Sequence, residues 1–408
     1  MAPQAIQCAD ADFNNDGLQD LYITNYGPNK MLFNKGDGSF ADVTTTSGTA
    51  DDLWGTSAAA FDFDRDGLLD LYVANYETWG AVMIPMGNHD RLYKNLNGIR
   101  FEDITDKAGM KTDEAMCGRG VTWTDINFDG FQDIVVANYR LDPNFLWVND
   151  LSGITERAEA FGMRVYETEG AFGHSVGPVS GDLDNDGDLD LFITNLAHPR
   201  YIEFSDVNMM LMNNGFPDYH FKDQYEESGI DFEETNSDPA LADIDNDGDL
   251  DLYMSSIYPG RYSRLYMNEQ KGSFNDISWV SGTRVENSWG VAFSDFNNDG
   301  FPDLLVASTD GIHLFKNNGN ANHWITVRID DVQCNRFGIG SRVTVRYGDK
   351  QQIREVTAGR GSGSQDSLEL IFGLGDYVGP IEIQAKTLCG DLLQTVIDHS
   401  NQRVILTH

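Results

Sequence analysis

Aspartate recurs through the first three quarters of this 408-residue chain at a spacing suited to a hard cation. Six nine-residue loops carry it: DFNNDGLQD from Asp12, DFDRDGLLD from Asp62, DINFDGFQD from Asp125, DLDNDGDLD from Asp182, DIDNDGDLD from Asp243 and DFNNDGFPD from Asp295. The oxygen donors are Asp12, Asn14, Asp16 and Asp20; Asp62, Asp64, Asp66 and Asp70; Asp125, Asn127, Asp129 and Asp133; Asp182, Asp184, Asp186 and Asp190; Asp243, Asp245, Asp247 and Asp251; and Asp295, Asn297, Asp299 and Asp303. Calcium takes about six to eight oxygen ligands, and carboxylates at alternate positions of a loop can wrap one ion. The sixth-position Gly permits the backbone reversal, since positive φ costs it no Cβ clash. Without Cys or His in the set, zinc and copper are disfavoured; Mg2+, which prefers fewer protein ligands and strict octahedral geometry, is the lesser substitute. About six Ca2+ ions are therefore expected, with weaker sites where Asn14, Asn127 and Asn297 replace a carboxylate. A metal-free turn repeat is disfavoured, because clustered carboxylates repel one another.

These are not EF-hand loops, which need a Glu at the twelfth position and flanking helices. Here the twelfth residues are Ile23, Val73, Val136, Ile193, Met254 and Val306, each inside a β-branched and aromatic run such as LYITNY or IVVANY. Such runs read as buried strands, so each loop joins two strands. Successive loops begin 50, 63, 57, 61 and 52 residues apart, the length of a four-stranded propeller blade. Repeat two shows all four strand signals, SAAAFD, LLDLYVANY, RLYKNL and IRFEDIT. The fold class expected is all-β: a six-bladed β-propeller, or a seven-bladed one if the C-terminal segment supplies a blade, closed as a ring to protect its sheet edges. No fourth-strand signal precedes residue 6, and repeat six loses its own after IHLFKN; NHWITVRI is the candidate to fill that slot.

The loops and their strands resemble the FG-GAP or VCBS repeat of integrin α-subunit heads and many secreted bacterial proteins, over residues 1–321. That resemblance implies calcium at each loop, on the face where a blade's first and second strands connect. From Asn322 to His408 the repeat stops, and alternating strands with Gly-rich turns predict a small β-sandwich or barrel. This segment is similar to the ASPIC/UnbV domain of the cartilage acidic protein family, on Asn322, Trp324, Gly338 to Gly340, Arg354, Gln365 and Phe372 to Gly375. The family's Trp-Pro-small-Gly is replaced by KTLCG at Lys386 to Gly390.

The formal charge of −37 removes nucleic acid and anionic membrane as default partners. Nearly all of it falls before residue 322, since residues 322–408 carry ten acidic and nine basic groups. Cys8, Cys117, Cys334 and Cys389 lack CxxC or Cys/His spacing; Cys334 and Cys389 either pair or stay as buried thiols. There is no long apolar stretch for membrane insertion and no leader sequence ahead of AIQCAD. Sites of moderate affinity fill where calcium is abundant, which favours an extracellular or periplasmic home with the leader outside this sequence; the alternative is a cytoplasmic protein with tight sites.

By analogy between propellers, ligands meet the face opposite the loops, near the channel. Entries to the innermost strands bring Trp54, Arg119, His174, Asp238 and Trp289 there, and loops after the second strands bring Tyr26, Tyr76, Tyr139, His198 and Tyr258. Read as an enzyme pocket, His174 is general acid or base, Asp238 orients it and Arg119 clamps an anion. Read as packing, the same WG and Asn-Tyr pairs are ordinary strand-entry and turn chemistry. Two insertions depart from the repeat, residues 77–90 with the apolar Trp79, Met83, Ile84 and Met86, and residues 197–208; one-sided insertions tend to hold binding specificity. The favoured function is calcium-dependent recognition of a protein or glycan partner. The alternative is a small-molecule enzyme, as related propellers act in natural-product cyclisation and alkylation and as lyases.

Overall fold

Each acidic loop closes a turn between two antiparallel strands, and a sheet grows outward from that pair. A computed structural model describes residues 5–79, 85–150, 152–164, 172–197 and 207–408. The innermost strands are Ala5–Ala11, Gly55–Phe61, Cys117–Thr124, Ser175–Gly181, Asn236–Ala242 and Ser288–Ser294, each paired with the strand that follows its loop. Five sheets have four strands in sequence order, and the sixth has three, ending at Gly311–Phe315. Consecutive innermost strands pack on one another, giving a propeller-like array with almost no helix. Every innermost strand shifts register once, at Ala5/Gln7, Gly55/Ser57, Gly118/Gly120, Ser175/Gly177, Asn236/Pro239 and Ser288/Gly290. A bulge of this kind bends the strand as it leaves the channel.

The core lies between blades, where alternate residues of facing sheets interlock. Trp123, Tyr22 and Phe61 of the first three blades are fully buried, as are Phe192 and Tyr253 of the next two. The junction between blades six and one differs. Leu305 is 38 % exposed, whereas Tyr72, its counterpart in blade two, is 2 % exposed. Ile312, Leu314 and Ile6 on the facing surfaces are exposed as well.

The expected strand NHWITVRI does not complete blade six. His323–Asp330 instead lies between Leu370–Gly375 and Gln402–Thr407, running parallel to the latter. Lys350–Glu355, Arg342–Tyr347, Ile381–Lys386 and Leu392–Ile397 form the facing sheet. The C-terminal strands thus pair among themselves and supply no blade; their inward residues Ile325, Val327, Val343, Val345, Phe372 and Ile383 make an apolar filling continuous with the core of the first three blades. Cys334 and Cys389 form a disulfide within this part, which decides between the two states open in the sequence.

The C-terminal sheets sit on the face of the acidic loops. Trp324 lies against Gly300 so closely that a Cβ there would collide with the indole. Arg65 Nε donates to Leu388 O at 2.9 Å, and Gly373 N to Asp243 Oδ2 at 3.1 Å. Between these sheets, loop 356–367 enters the channel and bonds all six innermost strands. Ala60 N donates to Ala358 O, Val121 N to Gly361 O, Gly361 N to Pro178 O, Ser362 N to Asp238 Oδ1 and Val291 N to Ser364 Oγ. Gln365 closes on blade one, accepting from Asp10 N at 2.9 Å and donating to Asp10 O at 3.0 Å. Gly120 and Gly177 are where the channel is tightest: a Cβ on either would strike the loop or a neighbouring strand. The loop therefore bridges the junction between blades six and one that the sheets leave open.

Candidate functional site

The six loops share one backbone form. Their fourth residues, Asn15, Arg65, Phe128, Asn185, Asn246 and Asn298, are left-handed with φ between 55° and 61°, and the sixth-position Gly has φ of 87° to 107°. This wraps the chain around the opening Asp. Gly17 N and Gly248 N donate to Asp12 Oδ2 and Asp243 Oδ2 at 2.8 and 2.9 Å, and Gly300 N to Asp295 Oδ2 at 2.7 Å. Side-chain oxygens then converge: Asp62, Asp64 and Asp66 lie within 4.8 Å of one another, as do Asp182, Asp184 and Asp190, and Asp243, Asp245 and Asp251. All three groups belong to loops with Asp at the third position.

Several observations fit a hard cation here. Asp125 Oδ1 and Asp182 Oδ1 are buried without a hydrogen-bond partner. Burial first, and neighbouring carboxylates after it, push Asp62 and Asp245 up to about 6 and Asp182 and Asp243 up to about 7. In loop two the Lys94 ammonium rests on Asp64 and Asp66, a monovalent cation where the donors converge. All donors are oxygen, the set calcium prefers.

The ninth-position Asp has a second task that spacing alone did not show. Asp190 Oδ2 accepts from Leu183 N at 2.9 Å and its Oδ1 from Asn213 N at 2.8 Å; Asp70, Asp133 and Asp251 repeat the pattern. The Asn whose backbone N–H donates this bond reaches into the preceding blade. Asn95 Nδ2 donates to Phe13 O, Asn149 to Phe63 O, Asn213 to Ile126 O, Asn268 to Leu183 O and Asn317 to Ile244 O. Each acceptor is the second residue of the neighbouring acidic loop, so loops and blades are stapled together. Asn34 Nδ2 instead donates to Gln19 O of its own loop, and among the described residues no such bond crosses from blade one to blade six. The signal was in the sequence, since KMLFN, RLYKN, FLWVN, MMLMN, RLYMN and HLFKN all end in this Asn.

On the opposite face the predicted cup assembles in part. Arg119 Cζ lies 5.1 Å from the Tyr76 ring centroid, Tyr76 is 6.0 Å from Tyr139, and Tyr139 meets His174 edge-on at 4.7 Å. Arg140 lies 5.5 Å over Tyr139 and is held by a two-pronged bond to Glu77 at 2.8 and 3.0 Å. Burial, then the nearby Tyr258, raises Tyr139 to about 12. Trp54 stacks on Tyr26 at 3.4 Å, one blade away, and Trp289 is exposed on blade six. His198, Met83 and Ile84 lie outside the described residues.

Asp238 does not join this group. It is fully buried, its Oδ1 accepts from Ser362 N at 2.9 Å, and its Oδ2 takes Val291 N at 3.1 Å and the Ser364 hydroxyl. Arg360 stands 3.9 Å away. The carboxylate expected to orient His174 is thus an anchor for loop 356–367, and the channel expected as a pocket is filled by that loop. The channel-lining sequence could not reveal this, because GRGSGSQDS reads as a solvent turn.

The chain matches the FG-GAP-like repeat family over residues 12–73, 125–193, 182–254 and 243–306, and the ASPIC and UnbV family over residues 331–385. It is 25 % identical over 414 aligned positions to cartilage acidic protein 1 of Xenopus tropicalis, covering 93 % of this chain and 61 % of that protein. The chain therefore spans about three fifths of the length of this relative. Among solved structures, an Agrocybe aegerita lectin that recognises non-reducing terminal N-acetylglucosamine aligns at 16 % identity and a TM-score of 0.46, with 78 % of each chain covered.

Proposed function

From a chain that belongs to the FG-GAP-like repeat family and carries a C-terminal ASPIC and UnbV segment, we propose a calcium-stabilised recognition propeller that binds a protein or glycan partner on the face away from its acidic loops. One observation carries this reading: Arg119, Tyr76, Tyr139 and His174 come from three blades and meet as one cation–aromatic cluster. Aromatic faces paired with a guanidinium suit sugar rings and acidic or aromatic side chains alike. With the channel filled from the other side, the cup is reached from this face alone.

Calcium in this proposal is structural. The first, third and fifth donors of each loop, with the ninth behind them, hold the ion, and the ion relieves the repulsion among them. The loops with Asn14, Asn127 and Asn297 release theirs first. A disulfide and loops of this kind both suit an oxidising, calcium-rich compartment outside the cytoplasm. Among the described residues no helix is long and apolar enough to cross a membrane.

The test is binding to a glycan array and to an extracellular-protein library in millimolar calcium, with Arg119→Ala, Tyr139→Ala and, as an outer-edge control, Trp279→Ala. A ligand lost in the first two and kept in the control supports the proposal. Equal binding by all three variants sinks it.

A further inference from the structure

The C-terminal sheets gather a cluster of titratable side chains that is not part of the six loops. Asp331, Asp391 and His408 each present one ligand atom, and these atoms lie within 4.8 Å of one another. Three separate features of the fold bring them together. Parallel pairing of His323–Asp330 with Gln402–Thr407 sets Asp330 opposite Thr407, so the next residues, Asp331 and His408, leave the sheet side by side. The Cys334–Cys389 disulfide ties the segment after Asp331 to the turn before Asp391. That turn is fixed from within, as Thr387 N donates to Asp391 O at 2.9 Å and Asp391 N to Thr387 Oγ1 at 3.1 Å.

The side chains are not satisfied by one another. His408 Nε2 is 3.1 Å from Asp391 Oδ2 and 3.6 Å from Asp331 Oδ1. One ring nitrogen carries at most one proton, which points at one carboxylate. Asp331 Oδ1 already accepts from Gln333 N at 3.0 Å, while its Oδ2 is buried with no partner, on a residue with 0 % exposure. Of the flanking cationic side chains, Arg336 is spent on Asp330 at 3.2 Å and Arg328 lies 5.8 Å over the Phe337 ring. A buried carboxylate oxygen without a donor is costly and points to a ligand.

We propose that Asp331, Asp391 and His408 bind a divalent transition metal of the Zn2+ class. An imidazole with two carboxylates is a donor set for zinc or its neighbours and not for calcium, which takes oxygen. Ligands about 2.0–2.1 Å from a tetrahedral ion stand about 3.3–3.4 Å apart, and the observed 3.1 and 3.6 Å separations bracket that figure. Asp391 and His408 are partly exposed, leaving room for water as the fourth ligand. The bound ion would join the last strand to the 387–391 turn, whose Leu388 carbonyl receives Arg65 from the acidic loop of blade two. Metal at this point therefore stiffens the contact between the C-terminal sheets and the propeller.

The experiment titrates Zn2+ into the full chain held in millimolar calcium, against a competing chromophoric chelator, and repeats it with Co2+ to read the ligand-field spectrum. The wild type should take one calcium-resistant equivalent, with a cobalt spectrum of low coordination number. His408→Ala and Asp391→Asn, both at partly exposed positions, should each weaken uptake at least about tenfold, since even outer-sphere changes around such metals cost about 10–100-fold. Asp64→Asn with Asp66→Asn, in a calcium loop, should leave uptake unchanged. No calcium-resistant equivalent, or equal uptake by His408→Ala, overturns the proposal and leaves the cluster a histidine–carboxylate ion pair only.

Discussion

Asn268 shows how one amide can serve two blades. Its Nδ2 donates to Leu183 O in blade four at 2.8 Å and to Leu250 O in its own loop at 3.1 Å, while its backbone N–H meets Asp251. Removing the amide strands two buried carbonyls, and an unsatisfied buried group costs about 1–3 kcal/mol. Asn268→Ala should therefore lower stability by about 2 kcal/mol or more, read as a shift in the urea midpoint in calcium. Asn34→Ala removes the bond to Gln19 O and the one that Gly36 N gives its Oδ1, both within blade one, and has no blade-crossing partner to lose among the described residues, so its shift should be clearly smaller. Equal shifts would mean that the staple does not couple blades. The sequence shows this Asn at the end of every third strand, yet its role depends on a carbonyl about 70 to 90 residues upstream, and no local pattern displays that distance.

At the level of elements, legibility follows periodicity. The strands after each loop were readable because burial on both faces leaves a short continuous β-branched and aromatic run, and the turn between them because its Asp, Asn and Gly recur at fixed positions. Loop 356–367 leaves no such trace. Its small residues suit a channel for the same reason they suit a solvent turn, lack of bulk, so GRGSGSQDS reads alike in both settings. What distinguishes the buried case is Arg360, 3 % exposed, which donates to Val291 O at 3.0 Å and grips Asp366 with two nitrogens beside Asp238. Breaking a buried ion pair from one side typically costs about 3–5 kcal/mol, because the other charge stays behind unpaired. In Arg360→Ala the loop should leave the channel. Limited proteolysis should then cut between residues 356 and 367 while the blades stay protected, and the C-terminal sheets should melt in a separate, earlier transition. Unchanged protection of this loop would show that its backbone bonds suffice without the guanidinium. Arg360→Lys, which keeps charge but not the fork, should fall between the two.

Across the whole molecule, −37 formal charges meet a fold that buries many of its carboxylates near one another. Burial, followed by like-charge neighbours, pushes Asp20, Asp182 and Asp243 up to about 7 and Asp62, Asp125 and Asp245 up to about 6, even though Arg354 pulls Asp182 and Asp243 down. A carboxyl with a raised pKa binds more protons folded than unfolded. Without a divalent cation its contribution is complete below the unfolded value of about 4 and is lost as pH climbs through about 6 to 7. A cation inverts the requirement, because it binds the ionised form and competes with the proton. In chelator the melting temperature should therefore fall between pH 5 and pH 8. In millimolar calcium it should hold or rise over the same window, so that the gap between the two curves widens with pH. Each site filled at about one hundred times its Kd adds about 2.7 kcal/mol, which makes the gap at pH 8 a sum over loops. Asp184→Asn and Asp245→Asn, which reduce two of the four-carboxylate loops to the Asn form found at Asn14, Asn127 and Asn297, should shrink that gap without moving the chelator curve downward. Parallel curves with and without calcium would remove the metal from the account of stability, and with it the reason for six such loops in one chain.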